Sequence, residues 1–168
     1  IWRHDVSGAA GVVINKKCQQ PDFKHICNEG LVHRLPKVNH PVYYGGPILT
    51  NVVGVLHSTD FILTSTNTLT EDKVGFTLDR KMLEVIAKGQ GPKNMLITLG
   101  MANWTTGQLE EELEHPRSPA MSWLIMDYDE KFVFGQLDDD KPDDLWESCV
   151  SQAIRNKTKE ITGKIFKS

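Results

Sequence analysis

Cysteine is scarce in this chain, and what there is does not pair. Cys18, Cys27 and Cys149 make an odd number with no C-x-x-C spacing, which argues against a disulfide framework and against a structural zinc site. A reducing compartment fits such usage, and the expected location is cytoplasmic. Long hydrophobic runs are missing as well. The longest, such as Met95–Leu99, fall far short of the roughly 20 apolar residues of a membrane helix, so no membrane association is expected. No basic stretch followed by an apolar one opens the chain, so nothing reads as a secretory signal. The first residue is Ile1 rather than Met, and the expectation is a natural start that is missing or processed. A basic excess is also lacking: 19 Lys and Arg stand against 22 Asp and Glu, a formal net charge of −3. That leaves no global attraction to nucleic-acid phosphates.

Signatures of catalysis and of ion binding are absent in the same way. There is no G-x-S-x-G elbow to expose a serine nucleophile. Gly45-Gly46-Pro47 lacks the Lys-Ser/Thr ending of a P-loop and no helix pattern follows it, so a tight turn is the better reading than an anion cradle. The acidic run Asp138, Asp139, Asp140, Asp143 and Asp144 lacks the glycine and terminal glutamate of a calcium loop, and reads as a solvated connection. His25, His33 and His40 are too scattered to imply a metal site. No metal and no cofactor are expected.

What is present is an ordinary globular composition over 168 residues, 39% hydrophobic and 24% charged, which suits one compact core. The expected organisation is a single domain over 1–154 and a basic tail over 155–168. Short β-branched and aromatic runs predict strands at Gly11–Ile14, Val42–Tyr44, Val52–His57, Phe61–Leu63, Val74–Leu78 and Asn94–Leu99, the last ending at Gly100. Trp123–Met126 and Phe132–Phe134 are two further β-prone runs. Pro21-Asp22 opens a short helix. Asp79 caps a helix whose Met82, Leu83, Ile86 and Ala87 share one face and which Gly89 ends. Thr105-x-x-Gln108 matches a capping box, with Glu110, Glu111 and Glu112 in the favourable first half of the helix behind it. A last helix carries Trp146, Cys149, Val150 and Ala153 at helical spacing.

Few residues suggest chemistry. His57, Ser58 and Asp60 are the residue types of a hydrolytic triad, but neighbouring strand residues point to opposite faces, so His57 and Ser58 cannot readily share a proton there. A polar strand end is the better reading. Trp104, Gln108 and Glu110 bring an aromatic face, an amide and a carboxylate to a helix start, which suits either a ligand pocket or a plain cap. In the tail, Arg155, Lys157, Lys159, Lys164 and Lys167 face Glu160 alone, with Ile161, Ile165 and Phe166 interleaved. Docking on an acidic partner, nucleic-acid contact and simple solvation all remain open for it.

Three stretches, in this order and spacing, resemble the YqgE/AlgH family. They are Gly11-Val12-Val13-Ile14-Asn15-Lys16; Val42-Tyr43-Tyr44-Gly45-Gly46-Pro47 followed by Leu56-His57-Ser58; and Leu99-Gly100 through Trp104, Gly107-Gln108-Leu109-Glu110 and Glu112-Leu113. The likeness runs from about Gly8 to Ile154. It departs where a family N-terminal strand is missing before Ile1, where a short stretch centred on Pro116–Pro119 reads as inserted, and where the tail runs long. The missing strand would leave an unpaired sheet edge. The resemblance implies an α+β fold, a complex mixed sheet with a small barrel-like core and flanking helices. It also implies a regulatory, non-catalytic binding role through protein contacts, related to transcription, with a protein partner or a second copy. Asn15, Gly45, Gly46, His57, Ser58, Trp104, Gln108 and Glu110 are the expected ligand or partner surface. Two rivals stand beside this reading. One is a structural subunit that uses the start of the chain, the 115–120 loop and the tail as contacts; the other is a small enzyme or ligand sensor with a pocket near Trp104, Gln108 and His57.

Overall fold

The computed structural model describes residues 1–28, 32, 36–69, 72–117, 122–135 and 145–155. His33, the acidic run at 138–144, Pro119 and tail residues Lys157, Lys159, Lys164 and Lys167 lie outside the described residues. The chain packs as two compact units, one of Ile1–Leu109 and the other from Glu110 onward.

The first unit is built on one sheet. Its strands are β1 (Arg3–Asp5), β2 (Gly8–Gly11), β3 (Val42–Tyr44), β4 (Ile48–Ser58), β5 (Asn67–Leu69), β6 (Val74–Thr77) and β7 (Met95–Trp104). Their order is β1-β2-β7-β4-β6-β5, with β3 also on β7, and the sheet curls into a nearly closed barrel. This is the α+β class and the barrel-like core predicted above. β7 is the spine: Ile97–Leu99 pairs in parallel with β3 on one side and antiparallel with Val53–Val55 of β4 on the other. Farther along, Ala102–Trp104 pairs with β2. β1 is an edge strand, and all three of its residues are exposed.

Period-2 alternation gives the two faces of this sheet separate cores. Val53, Val55, Ile97 and Val42 pack against Phe23 and Ile26 of α1 (Phe23–Ile26) and against Met82, Leu83, Ile86 and Ala87 of α2 (Arg80–Ala87). Burying Met82, Leu83 and Ile86 contributes about 2 kcal/mol each. α2 forms as the sequence predicts: the Asp79 carboxylate accepts from the Lys81 N–H at 2.9 Å, and Gly89, at φ +72°, ends the helix. On the other face, Leu56, Phe76, Leu96 and Thr98 are buried, and Trp2 stacks on Phe76 with ring centroids 4.6 Å apart.

Several expectations require correction. The strand expected at Gly11–Ile14 ends at Gly11, because there the chain leaves β7 and turns to run beside β3. Val13 N–H donates to Gly45 O, Lys16 O accepts from Tyr44 N–H and Cys18 N–H donates to Val42 O. Phe61–Leu63 is not a strand: Phe61 and Leu63 lean on the core while Ile62 is exposed, and the Leu63 N–H is taken by Thr66 Oγ1. The polar stretch behind it instead supplies β5, which pairs with β6. β7 does not stop at Gly100 but passes through it to Trp104.

In the second unit, Trp123–Met126 has no regular structure. Phe132–Phe134 belongs to helix α4 (Glu130–Phe134), which is capped by Asp129 through the Lys131 N–H. An aromatic, β-branched triplet has taken the conformation dictated by its cap. The last helix, α5, covers residues 145–155 as expected. α3 (Gln108–Glu114) follows Trp104. No helix among the described residues is long and apolar enough to cross a membrane.

Candidate functional site

The residues singled out by sequence are strung along β7 rather than gathered. His57 sits opposite Met95 at its start, Gly45 and Gly46 lie against its middle, and Trp104 ends it. Trp104 lies nine positions beyond Met95, about 30 Å of extended chain. A single pocket of Trp104, Gln108 and His57 is therefore not formed, and that expectation is withdrawn.

His57 is fully buried. It shares its sheet face with Val53 and Val55. Its Nδ1 lies 2.9 Å from the Ser58 carbonyl oxygen, and since a carbonyl only accepts, Nδ1 carries the proton and Nε2 the lone pair. Among the described residues, Nε2 is buried without a hydrogen-bond partner. Burial pushes the imidazole below its ordinary value, opposed more weakly by the Ser58 carbonyl and the Asp60 charge. The strand opposite offers Gly75, where a Cβ would stand 2.7 Å from His57 Cε1 and 2.6 Å from Thr66 Cγ2. The ring occupies the space a side chain there would need.

Ser58 faces the other way. Its hydroxyl donates to Asp60 and accepts from the Asn94 N–H at 3.1 Å, while Asp60 also accepts from the Lys93 N–H at 3.2 Å. The Ser58 hydroxyl, first among its causes, holds the Asp60 carboxyl below its ordinary range. The three polar residues thus split into a buried imidazole and a clamp that ties the end of β4 to the segment leading into β7. His57 bonds the Ser58 carbonyl, not its hydroxyl.

Gly45 and Gly46 mark a crossing of two backbones. A Cβ on Gly45 would lie 2.3 Å from Gly100 O, one on Gly46 2.2 Å from Met101 C, and one on Gly100, at φ +76°, 2.4 Å from Gly46 O. The Gly45 N–H is spent on Leu99 O at 2.7 Å, so it cannot serve an anion. Opposite Gly100, β4 bulges. Ile48 pairs with Met101 and Val53 with Leu99, and within the bulge Leu49 adopts φ +53°, a conformation rare for a bulky side chain. Asn15 lies half-buried in the segment that runs past Gly45.

At the far end of β7, Trp104 pairs with Ala9. Thr105 N–H donates to Gln108 Oε1 at 3.1 Å and Gln108 N–H donates to Thr105 O at 3.0 Å, so the amide of Gln108 caps the helix start. Glu110 is exposed in the first turn of α3.

The second unit carries features that the sequence reading missed. Phe132, Glu147, Ser148, Ser151 and Arg155 line a concavity of about 400 Å³. Glu147, Ser151 and Arg155 recur every four residues along α5, a spacing that places them on one ridge and that was legible in the sequence. Trp123, Leu124, Ile125, Trp146 and Ile154 are exposed, Ile125 at 77%, while Trp123 Nε1 donates to Glu112 Oε2. Among the described residues no three His, Cys, Asp or Glu side chains cluster to hold a metal. His25 bonds Asp22 at 2.6 Å, and the His40 ring packs on Phe23.

Comparison with known proteins follows the same motifs. The profile of the family described as AlgH-like matches residues 1–156. The chain is 33% identical over 148 residues to a UPF0301 protein of Bradyrhizobium sp., covering 83% of this chain and 66% of that one. It is 34% identical over 152 residues to a UPF0301 protein of Rickettsia akari, covering 88% and 72%. The solution structure of the AlgH protein from Pseudomonas aeruginosa superposes with a TM-score of 0.70 at 27% identity, covering 95% of this chain and 79% of that one. The chain spans just under two thirds of the length of its Bradyrhizobium relatives.

Proposed function

We propose, from the premise that this chain belongs to the AlgH-like family, that it is a non-catalytic protein that works by binding other proteins. The observation that carries the reading is the surface of the second unit. Trp123-Leu124-Ile125, Trp146 and Ile154 are exposed there, whereas Ala153 is its one buried apolar side chain among the described residues. Tryptophan and large aliphatic groups held in water at this density are more typical of a contact surface than of a free one. The neighbouring concavity, with Arg155 and Glu147 on one ridge, adds polar groups that fix register without demanding a reaction. The first unit supports the non-catalytic half of the reading, since His57 is sealed in the core and Ser58 is held in a clamp. A cytoplasmic, transcription-related role is the form of this proposal that the family resemblance favours.

The test compares the purified chain with a Trp123→Ser/Ile125→Ser variant in stoichiometric capture from its native source, with bound proteins identified. A partner held by the parent and lost by a still-folded variant supports the reading. Partners retained by the variant, or turnover of a substrate that His57→Ala abolishes, would overturn it.

A further inference from the structure

Helix α5 carries two neighbouring ridges of four-residue spacing. Trp146, Val150 and Ile154 form an apolar ridge, and Glu147, Ser151 and Arg155 a polar one. Rows of this spacing run side by side along an α-helix, and the groove between them is where another helix packs. Trp146 and Ile154 are each 58% exposed, Val150 is half-buried, and all three residues of the polar ridge are exposed. Ala153, about 200° around the helix from Ser151, is buried and marks the side that packs inward. The concavity beside Phe132 of α4 opens onto the polar ridge, so the outward side of α5 has room for a neighbour.

The polar ridge is its own complement when reversed. Glu147 precedes Ser151 by one step of the ridge and Arg155 follows it by one, so the two charges stand about 6 Å along the axis to either side of the same hydroxyl. The full rise of about 12 Å keeps them from pairing with each other within one helix. A second α5 laid antiparallel across the first, with Ser151 at the crossing, brings Glu147 of each copy to Arg155 of the other. A parallel copy would instead set Glu147 beside Glu147 and Arg155 beside Arg155, which is unfavourable. Ridges of four-residue spacing interdigitate at a crossing of about −50°, and in that packing they stay aligned, so both pairs of charges meet. Ser151 is small enough for the helix axes to approach, and Trp146 and Ile154 supply apolar area at the flanks.

We propose that α5 is a self-association surface: two copies of this chain pack their α5 helices antiparallel about a two-fold axis beside Ser151, with reciprocal Glu147–Arg155 pairs and with Trp146 and Ile154 covered at the flanks. Two-fold pairing requires one patch that fits itself. The reversed order of charges about Ser151 provides that, and a ridge of a single charge sign would not. The inference deepens the binding reading above by naming one partner, and it rests on that reading only for the exposure of Trp146 and Ile154; Trp123 and Ile125 are not part of this contact. A single helix crossing buries less than the roughly 1,200–2,000 Å² of a standard interface, so association is expected in the micromolar range and depends on concentration.

The test is sedimentation velocity of the purified full chain from about 5 to about 500 µM, a range that brackets association of micromolar strength. The expected result is a monomer–dimer equilibrium. Glu147→Arg and Arg155→Glu change exposed positions between good helix formers. Each should weaken dimerisation about tenfold or more, because it sets like charges opposite one another at both contacts. Mixed one to one, the two variants should dimerise again, and so should the double exchange Glu147→Arg/Arg155→Glu. If circular dichroism shows that a reversal disturbs folding, Glu147→Gln takes its place, with weaker dimerisation expected and unchanged dimerisation overturning the proposal. A parent that stays monomeric throughout, single reversals that dimerise like the parent, or a mixture that fails to recover also overturns it. Because only the purified chain is present, a monomeric parent rejects self-association without touching the capture of other proteins.

Discussion

The crossing at Gly100 permits a test in which one variable is isolated. Gly100 and Gly107 share the same φ, +76°, so any alanine placed at either one suffers the left-handed penalty of about 1 kcal/mol. Their surroundings differ completely. A Cβ at Gly107 would meet nothing within 4 Å, while one at Gly100 would lie 2.4 Å from Gly46 O and 3.0 Å from Ile48 O. Both obstacles at Gly100 are backbone, so no side chain can swing aside and the β3–β4 link itself must move. Overpacking of that kind adds about 1–3 kcal/mol. Gly107→Ala should therefore lose about 1 kcal/mol and Gly100→Ala about 2–4 kcal/mol, read as a fall in urea midpoint with unchanged m-value by far-ultraviolet circular dichroism. Against the roughly 5–15 kcal/mol of a typical domain, the larger loss is substantial. Two variants agreeing within about 0.5 kcal/mol would refute the claim that the Gly45-Gly46 motif exists to let two backbones touch.

Other outcomes follow from the same contacts. Asp79→Ala, which removes the α2 cap and the acceptor of Ser65, should cost about 1 kcal/mol in chemical denaturation. Gly75→Ala should cost about 1–3 kcal/mol by crowding His57 and Thr66, and the added substitution Thr66→Ser, which deletes the nearer methyl, should recover part of it. Trp2→Phe keeps the stack on Phe76 while removing an indole N–H that is buried without a partner among the described residues, so its thermal midpoint should hold or rise rather than fall. Asp22 is held well below its ordinary 3.8, first by the Asn39 amide and then by His25. Its folded value is therefore the lower one, and its contribution is complete above that ordinary value and is lost as pH falls through it. Asp22→Asn should flatten acid denaturation in that window, as followed by circular dichroism.

The α2 helix was legible because everything that makes it is local: a cap at Asp79, a four-residue apolar face and a glycine stop, all within one stretch of chain. The capping box at Thr105 and Gln108 was legible for the same reason. Phe132–Phe134 was misread because β propensity reports fit to a half-buried sheet surface, and no strand among the described residues of the second unit receives it; Asp129 then decided for helix. The family motifs, too, were visible as patterns, but their meaning was not. That Gly45, Gly46 and Gly100 answer one another across 55 residues is a fact of tertiary contact, as is the distance that β7 puts between His57 and Trp104.

By itself, then, the amino-acid order determined the α+β class, the family, the capped helices and the opposed directions of His57 and Ser58, since each depends on residues within a few positions of one another. Only the tertiary structure decided that His57 is sealed above Gly75 with one nitrogen unpaired among the described residues, that the glycines are a backbone crossing and not an anion cradle, and that Trp123, Trp146 and Ile154 remain in water. Burial and close approach depend on which distant segments the chain brings together, and no local pattern of residues carries that information.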